Sequence, residues 1–127
     1  ESGYKMEMEE ITNESFLPIE CMETKNNEAF FASLIKHSSH FENIYKEALA
    51  KECRLKYVAK FENGKASVGL QFIPKESPFY NLEGKDNIVQ FYTDRYVDQP
   101  LLIKGAGAGA AVTASGIFAD VIRIGNV

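Results

Sequence analysis

The sequence has no tryptophan, only two cysteines and only four prolines in 127 residues. Two cysteines cannot form the disulfide framework of a small secreted domain. Cys21 and Cys53 are far apart and show no metal-type spacing. They are therefore expected as buried, reduced thiols of a cytoplasmic protein. Basic residues are not in excess. Fourteen Lys and Arg stand against eighteen Asp and Glu, for a net charge of −4, which excludes nucleic acid as the main partner. No apolar run reaches the roughly 20 residues of a membrane helix. The opening "ESGYKMEMEE" has neither the apolar core of a signal peptide nor an initiator Met, so Glu1 is expected to lie inside a longer natural chain. Internal repeats and low-complexity linkers are also missing.

What is present is the composition of an ordinary soluble domain, 45% hydrophobic and 25% charged. A chain of this length can bury roughly two-thirds of its unfolded surface. Residues 5–20 alternate weakly through Met6, Met8 and Ile11, which predicts a strand entering a loop at Pro18. Two helices follow. Asn26 or Asn27 can cap the first, and Phe30, Phe31, Leu34 and Ile35 share one of its faces. The second opens with "SHFE", where Ser39 and Glu42 have capping-box spacing. Its apolar stripe is Phe41, Ile44, Tyr45, Ala48 and Leu49.

The clearest local pattern is "LKYVAKFENGKASVGLQFIP". Asn63-Gly64 suits a two-residue type I′ turn. That loop pairs Glu62 with Lys65, Phe61 with Ala66, Ala59 with Val68, Tyr57 with Leu70 and Leu55 with Phe72. The pairs from Phe61–Ala66 outward to Leu55–Phe72 share one face and are all apolar, whereas Lys56, Lys60, Ser67 and Gln71 lie on the other. The hairpin is expected to bury the first face and wet the second, where another subunit could also meet it. "SPFYNLEGKDN" reads as turns. "NIVQFYTDRYV" reads as a third strand, broken at Asp98-Gln99-Pro100, with "LLIK" as a short fourth. The expected class is α+β: a mostly antiparallel, mixed sheet with helices on one face and a further helix at the end.

That last helix is too apolar for a surface helix. At about 100° per residue, Thr113, Asp120 and Arg123 fall within about 80° of each other, with Gly116 among them. Ser115 is the one polar outlier. Ala114, Ile117, Phe118, Ala119, Val121, Ile122 and Ile124 cover the rest. A surface helix needs an apolar stripe of only about 100°. This one is expected to be covered on a second side by chain outside the fragment or by another subunit; the alternative is a central helix of a compact small domain. Before it, Gly105-Ala106-Gly107-Ala108-Gly109-Ala110 nearly matches the dinucleotide fingerprint G-x-G-x-x-G/A. The full fingerprint needs an acidic residue about 20 positions on, and the chain stops at Val127. The glycines are thus not the first turn of a dinucleotide-binding domain. They still permit close backbone approach, and free helix amides suit an anion. A tight turn without ligand is the plain alternative.

Elsewhere the chemistry is thin. His37 and His40 stand three apart with no third ligand, so no metal is expected. The acids of "EMEE" and "ECME" read as a solvated face. Asp120 and Arg123 read as a local i,i+3 ion pair. Ser15, Ser67 and Thr93 have no recognisable base partner.

Residues 87–124, "NIVQFYTDRYVDQPLLIKGAGAGAAVTASGIFADVIRI", resemble the C-terminal end of homoserine dehydrogenase. The resemblance rests on Asn87 opening a strand, then Phe91, Thr93, Tyr96, Pro100-Leu101, "IKGAGAG" and "VTASGIFAD". Residues 27–53 resemble the form fused to an aspartokinase. The resemblance implies an NAD(P)-dependent oxidoreductase of threonine and methionine biosynthesis that interconverts aspartate semialdehyde and homoserine, cytoplasmic and homodimeric through the sheet. It implies that residues 1–104 belong to the catalytic and dimerisation domain. Residues 105–127 would return to a Rossmann domain built earlier in the chain. It places Gly109, with Gly107 and Ala108 beside it, against NADP or NAD in the full-length enzyme; none is expected bound to this fragment. The family's D-P-x-x-D-L-S-G-x-D-x-x-x-K motif, with its catalytic lysine, is not in these residues, so no catalytic residue carries over. A free-standing α+β module binding a metabolite or protein is the competing reading, and a phosphate-binding turn a remoter one.

Overall fold

The computed structural model describes residues 3–126. They divide into two units, Glu1–Tyr80 and Asn81–Val127, each with its own sheet.

The first unit is organised by a long hairpin. Strand β2 (Arg54–Glu62) and strand β3 (Lys65–Ile73) pair in the register that the sequence predicts, from Glu62 opposite Lys65 out to Leu55 opposite Phe72. The turn residues Asn63 and Gly64 have φ of 51° and 74°, the two positive values of a type I′ turn. A short strand β1 (Thr12–Glu14) adds in parallel to β3, so this sheet is mixed and runs β1-β3-β2. Gly69 makes that pairing possible. A Cβ there would lie 2.6 Å from Glu14 Cβ and 3.1 Å from Glu14 O. The Glu14 carboxylate then accepts from Gln71 Nε2 at 3.0 Å.

The strand expected within residues 5–20 is therefore shorter than its alternation suggests. A 3₁₀ turn at Met8–Glu10 precedes it, closed by Glu10 reaching back to the Glu7 amide at 2.7 Å. Helix α1 (Ile19–Met22) follows Pro18, and helix α2 (Asn27–Lys36) begins where Asn26 Oδ1 accepts from the Ala29 amide at 2.8 Å. Helix α3 (Ser38–Ala50) starts one residue before the expected cap. His37 takes the cap position, Ser39 lies inside the helix, and no side chain caps it. The short α2–α3 connection leaves no room for the Ser39 capping box.

Helix α3 packs on the apolar face of the hairpin. Phe16 meets Phe41 and Tyr57 edge-on, with centroids 6.3 Å apart in both cases, and the Lys51 ammonium sits 5.0 Å above the Phe72 ring. The cover is incomplete. Tyr57, Ala59 and Phe61 on the face expected to be buried are exposed. Ile73 on the opposite face is buried. On the helices Phe30, Leu34, Phe41 and Ile44 are half-buried and Ala48 is buried, while Phe31, Ile35, Tyr45 and Leu49 remain exposed.

The second unit is a two-stranded antiparallel sheet of β4 (Asp86–Thr93) and β5 (Tyr96–Ala106), followed by α4 (Ala110–Gly125). The strand break predicted at Asp98-Gln99-Pro100 falls instead after Thr93, and β5 runs through Pro100. Pairing explains why Pro100 is tolerated. Phe91 faces Leu101 and Thr93 faces Tyr96, so Tyr92 lies opposite the four residues Val97–Pro100. Pro100 sits in this irregular stretch, where its missing N–H removes no ladder bond. The single sheet expected from the sequence is thus two sheets among the described residues, and the α+β class stands.

Two of these contacts can be tested directly. Gly69→Ala should lower the stability of the first unit by about 1–3 kcal/mol, because β1 must move aside; an unchanged urea midpoint would refute it. Glu52 holds Lys75 at 2.5 Å. The hydrogen bond and then the charge of Lys75 keep the Glu52 carboxyl below its ordinary range. A depressed folded-state pKa stabilises above the unfolded value and loses that contribution as pH falls through the folded one. An NMR titration should show the Glu52 carboxyl returning to the ordinary glutamate range in Lys75→Met; identical curves would exclude the pair.

Candidate functional site: the glycine-rich turn before the last helix

The turn from β5 into α4 is built by the neighbouring strand. Asp86 pairs with Ala106, Asn87 with Gly105 and Ile88 with Lys104. The Gly107 amide then donates to the Lys85 carbonyl at 3.1 Å, which extends the ladder past the last paired residue. Gly109 caps the helix with φ 127° and ψ 154°, a region open in practice only to glycine. Its carbonyl accepts from Thr113 at 3.1 Å, starting the α-helical pattern. No side chain caps this helix. The first-turn amides therefore remain free donors at the positive end of a helix of 16 residues.

The surroundings are open on one side. No atom lies within 4 Å of the place a Cβ on Gly105 would occupy. Beside Gly109 the nearest atoms to such a Cβ are Lys85 Nζ at 3.8 Å and Cδ at 3.9 Å. Lys104 is drawn toward Asp86, 3.6 Å away, leaving Lys85 as the ammonium beside the helix start. Of the residues singled out in the sequence, Gly109 is half-buried at the cap, Gly107 packs against Asn87, and Ala108 is exposed between them. The three lie together because they are consecutive. Lys85 is a residue that sequence reading missed. Nothing in the sequence flags it, because its place depends on strand register. Free amides, one adjacent cation and a side-chain-free approach fit the phosphate of a dinucleotide.

Helix α4 is exposed along its whole described length. Ile117, Phe118 and Ile124 are 63%, 65% and 75% accessible, and Val121 and Ile122 are close to half or more. Asp120 and Arg123 form the expected i,i+3 pair at 3.5 Å. On the sheet before it, the pairs Val89–Ile103 and Phe91–Leu101 leave a second apolar strip open.

In the first unit, Cys21, Ser33, His37 and Glu20 cluster without making a catalytic group. His37 Nδ1 lies 2.9 Å from the Ser33 carbonyl and so carries its proton there. That leaves the nitrogen unable to act as a base toward Cys21 Sγ, 3.7 Å away. Cys21 is wholly buried, as expected, whereas Cys53 is only half-buried. His40 Nε2 lies 2.9 Å from the Phe16 carbonyl and ties the loop before α1 to α3. Among the described residues no group of three or more His, Cys, Asp or Glu is placed to hold a metal, and no helix is long and apolar enough to cross a membrane.

The described residues form an α+β fold in which a strand, a glycine-rich turn and an over-apolar helix follow one another. The homoserine dehydrogenase family matches residues 1–122, and the chain belongs to that family. It is 36% identical over 123 residues to the bifunctional aspartokinase/homoserine dehydrogenase of Haemophilus influenzae, covering 97% of this chain and 15% of that protein. To the homoserine dehydrogenase of Paracoccidioides brasiliensis it is 40% identical over 113 residues, covering 87% of this chain and 30% of the relative. A crystal structure of a Candida auris protein of unknown function superposes with a TM-score of 0.75 at 36% identity, over 91% of this chain and 33% of that one. The chain thus spans between about a seventh and a third of these relatives.

Expressed alone, the 127 residues should be cut by chymotrypsin at Phe118 well before the β2–β3 hairpin is attacked. Protection of residues 110–124 in a monomer would instead mean that the helix finds its cover within this chain.

Proposed function

We propose that this chain is the C-terminal part of an NAD(P)-dependent homoserine dehydrogenase, which interconverts aspartate semialdehyde and homoserine on the way to threonine and methionine. The observation that carries the reading is the glycine-rich turn opening an α4 left bare around its circumference. In this reading residues 1–104 belong to the catalytic and dimerisation domain. Residues 105–127 return to a Rossmann domain contributed by other parts of the protein, which covers the apolar sides of α4. The open strip of Val89, Phe91, Leu101 and Ile103 supports a homodimer formed through the sheet. Two free thiols suit the reducing cytoplasm, and the similarity to bifunctional relatives supports fusion to an aspartokinase.

The nicotinamide cofactor supplies or accepts the hydride at the carbonyl carbon of the semialdehyde when it is bound. This chain's own part is positional. Gly109, with no side chain, lets the dinucleotide approach the backbone, while Gly107 and Ala108 set the path of the turn. The free amides of α4 and the Lys85 ammonium hold negative charge at a fixed place. No proton donor or acceptor for the alcohol oxygen is assigned to these residues.

Residues 1–127 by themselves should therefore give no oxidation of homoserine with NADP or NAD, while the full natural chain turns over. Measurable turnover by the isolated piece would overturn the reading.

A further inference from the structure

We propose that Asn87 is a positioning residue for the glycine-rich turn: its carboxamide fills the space a side chain at residue 107 would need, and so sets where Gly109 and the first amides of α4 are presented. The inference rests on the reading that this turn faces the dinucleotide.

Two glycines of the turn are glycine for different reasons. Gly109 has a φ of 127° that side-chain-bearing residues avoid. Gly107 is not among the positive-φ residues, so its backbone angle does not demand glycine. Space does. A Cβ on Gly107 would overlap Asn87 Nδ2, and would lie 2.5 Å from Asn87 Cγ and 3.2 Å from its Cβ. The strand register produces this contact. Asn87 pairs with Gly105, so its side chain stands on the same sheet face as residues 105 and 107 and reaches diagonally to the second. Gly105 itself meets nothing within 4 Å, so the carboxamide leans toward the turn. Gly107 is thereby held twice, by the Lys85 carbonyl on its amide at 3.1 Å and by Asn87 against its α-carbon. The helix cap lies two residues further on, so a displacement at 107 is passed to the start of α4.

The experiment uses the full natural chain, with NADPH and NADH as probes. Binding is followed by fluorescence titration, and kcat and KM are measured alongside. Gly107→Ala should weaken dinucleotide binding about tenfold, the scale on which small misplacements act. Adding Asn87→Ala should recover most of that loss, because the new methyl then has room. Alone, Asn87→Ala should weaken binding about fivefold, with KM for the dinucleotide changing more than kcat. Asn87→Leu, which keeps the branched shape without the polar atoms, should bind within about twofold of the natural protein. Failure of Asn87→Ala to rescue Gly107→Ala, or equal damage from Asn87→Leu and Asn87→Ala, overturns the proposal. If Gly107→Ala does not fold, the comparison of the two Asn87 variants decides it. Hydrogen exchange on the natural protein tests the underlying reading separately. Dinucleotide should protect the amides of residues 107–112. Tight binding without that protection overturns the cofactor-facing role of the turn, whatever the variants do.

Discussion

Apolar surface left in contact with water is the constraint that organises this chain. Two compact bodies the size of its two units would together expose roughly 8,000 Å² on the scaling of folded monomers. The chain exposes 10585 Å². Its buried apolar residues are few among those described: Cys21, Ala48 and Ile73. Hydrophobic burial is the main favourable term in folding, and it is spread thinly here. Local devices accordingly carry much of the order: the type I′ turn, the Asn26 cap and the fit of Gly69 under Glu14. The same shortage explains why side chains on expected core faces, such as Phe31, Ile35 and Tyr57, stand open.

How much of this was legible in the sequence depended on the range of the interaction. The β2–β3 hairpin was legible to the residue, because turn chemistry and period-two alternation are both local and agree. The Asn26 cap and the Asp120–Arg123 pair were legible for the same reason. The Ser39 capping box failed because His37, as the short link from α2, already takes the cap position. The parallel partner of β3 was not legible, since three residues carry no period. Pro100 misled because a proline normally ends a strand, whereas here a bulge absorbs it.

The candidate site divides along the same line. Gly105 to Gly109 can be read as a turn from composition alone, and the excess apolarity of α4 from its helical projection. Neither identifies the residues at the start of β4, and just before it, that meet the turn. Lys85 and Asn87 precede it by about twenty positions and reach it only through the β4–β5 register. That register is set by pairs such as Val89–Ile103 and not by any motif.

Family membership and physical reading bear on different parts of the problem. Similarity over nearly the whole chain assigns the family, and the chain spans a small part of each relative. The structure contributes the reason for the element order. A helix apolar on nearly every side cannot be stable as a surface helix, and a glycine cap with free amides gains little without an anion. Both features make sense together if the last helix closes against a nucleotide-binding domain. The turn then has to be placed accurately although it belongs to a two-stranded sheet with little core of its own. Contacts that hold Gly107 from both the strand and the side-chain direction supply that accuracy locally, where burial cannot.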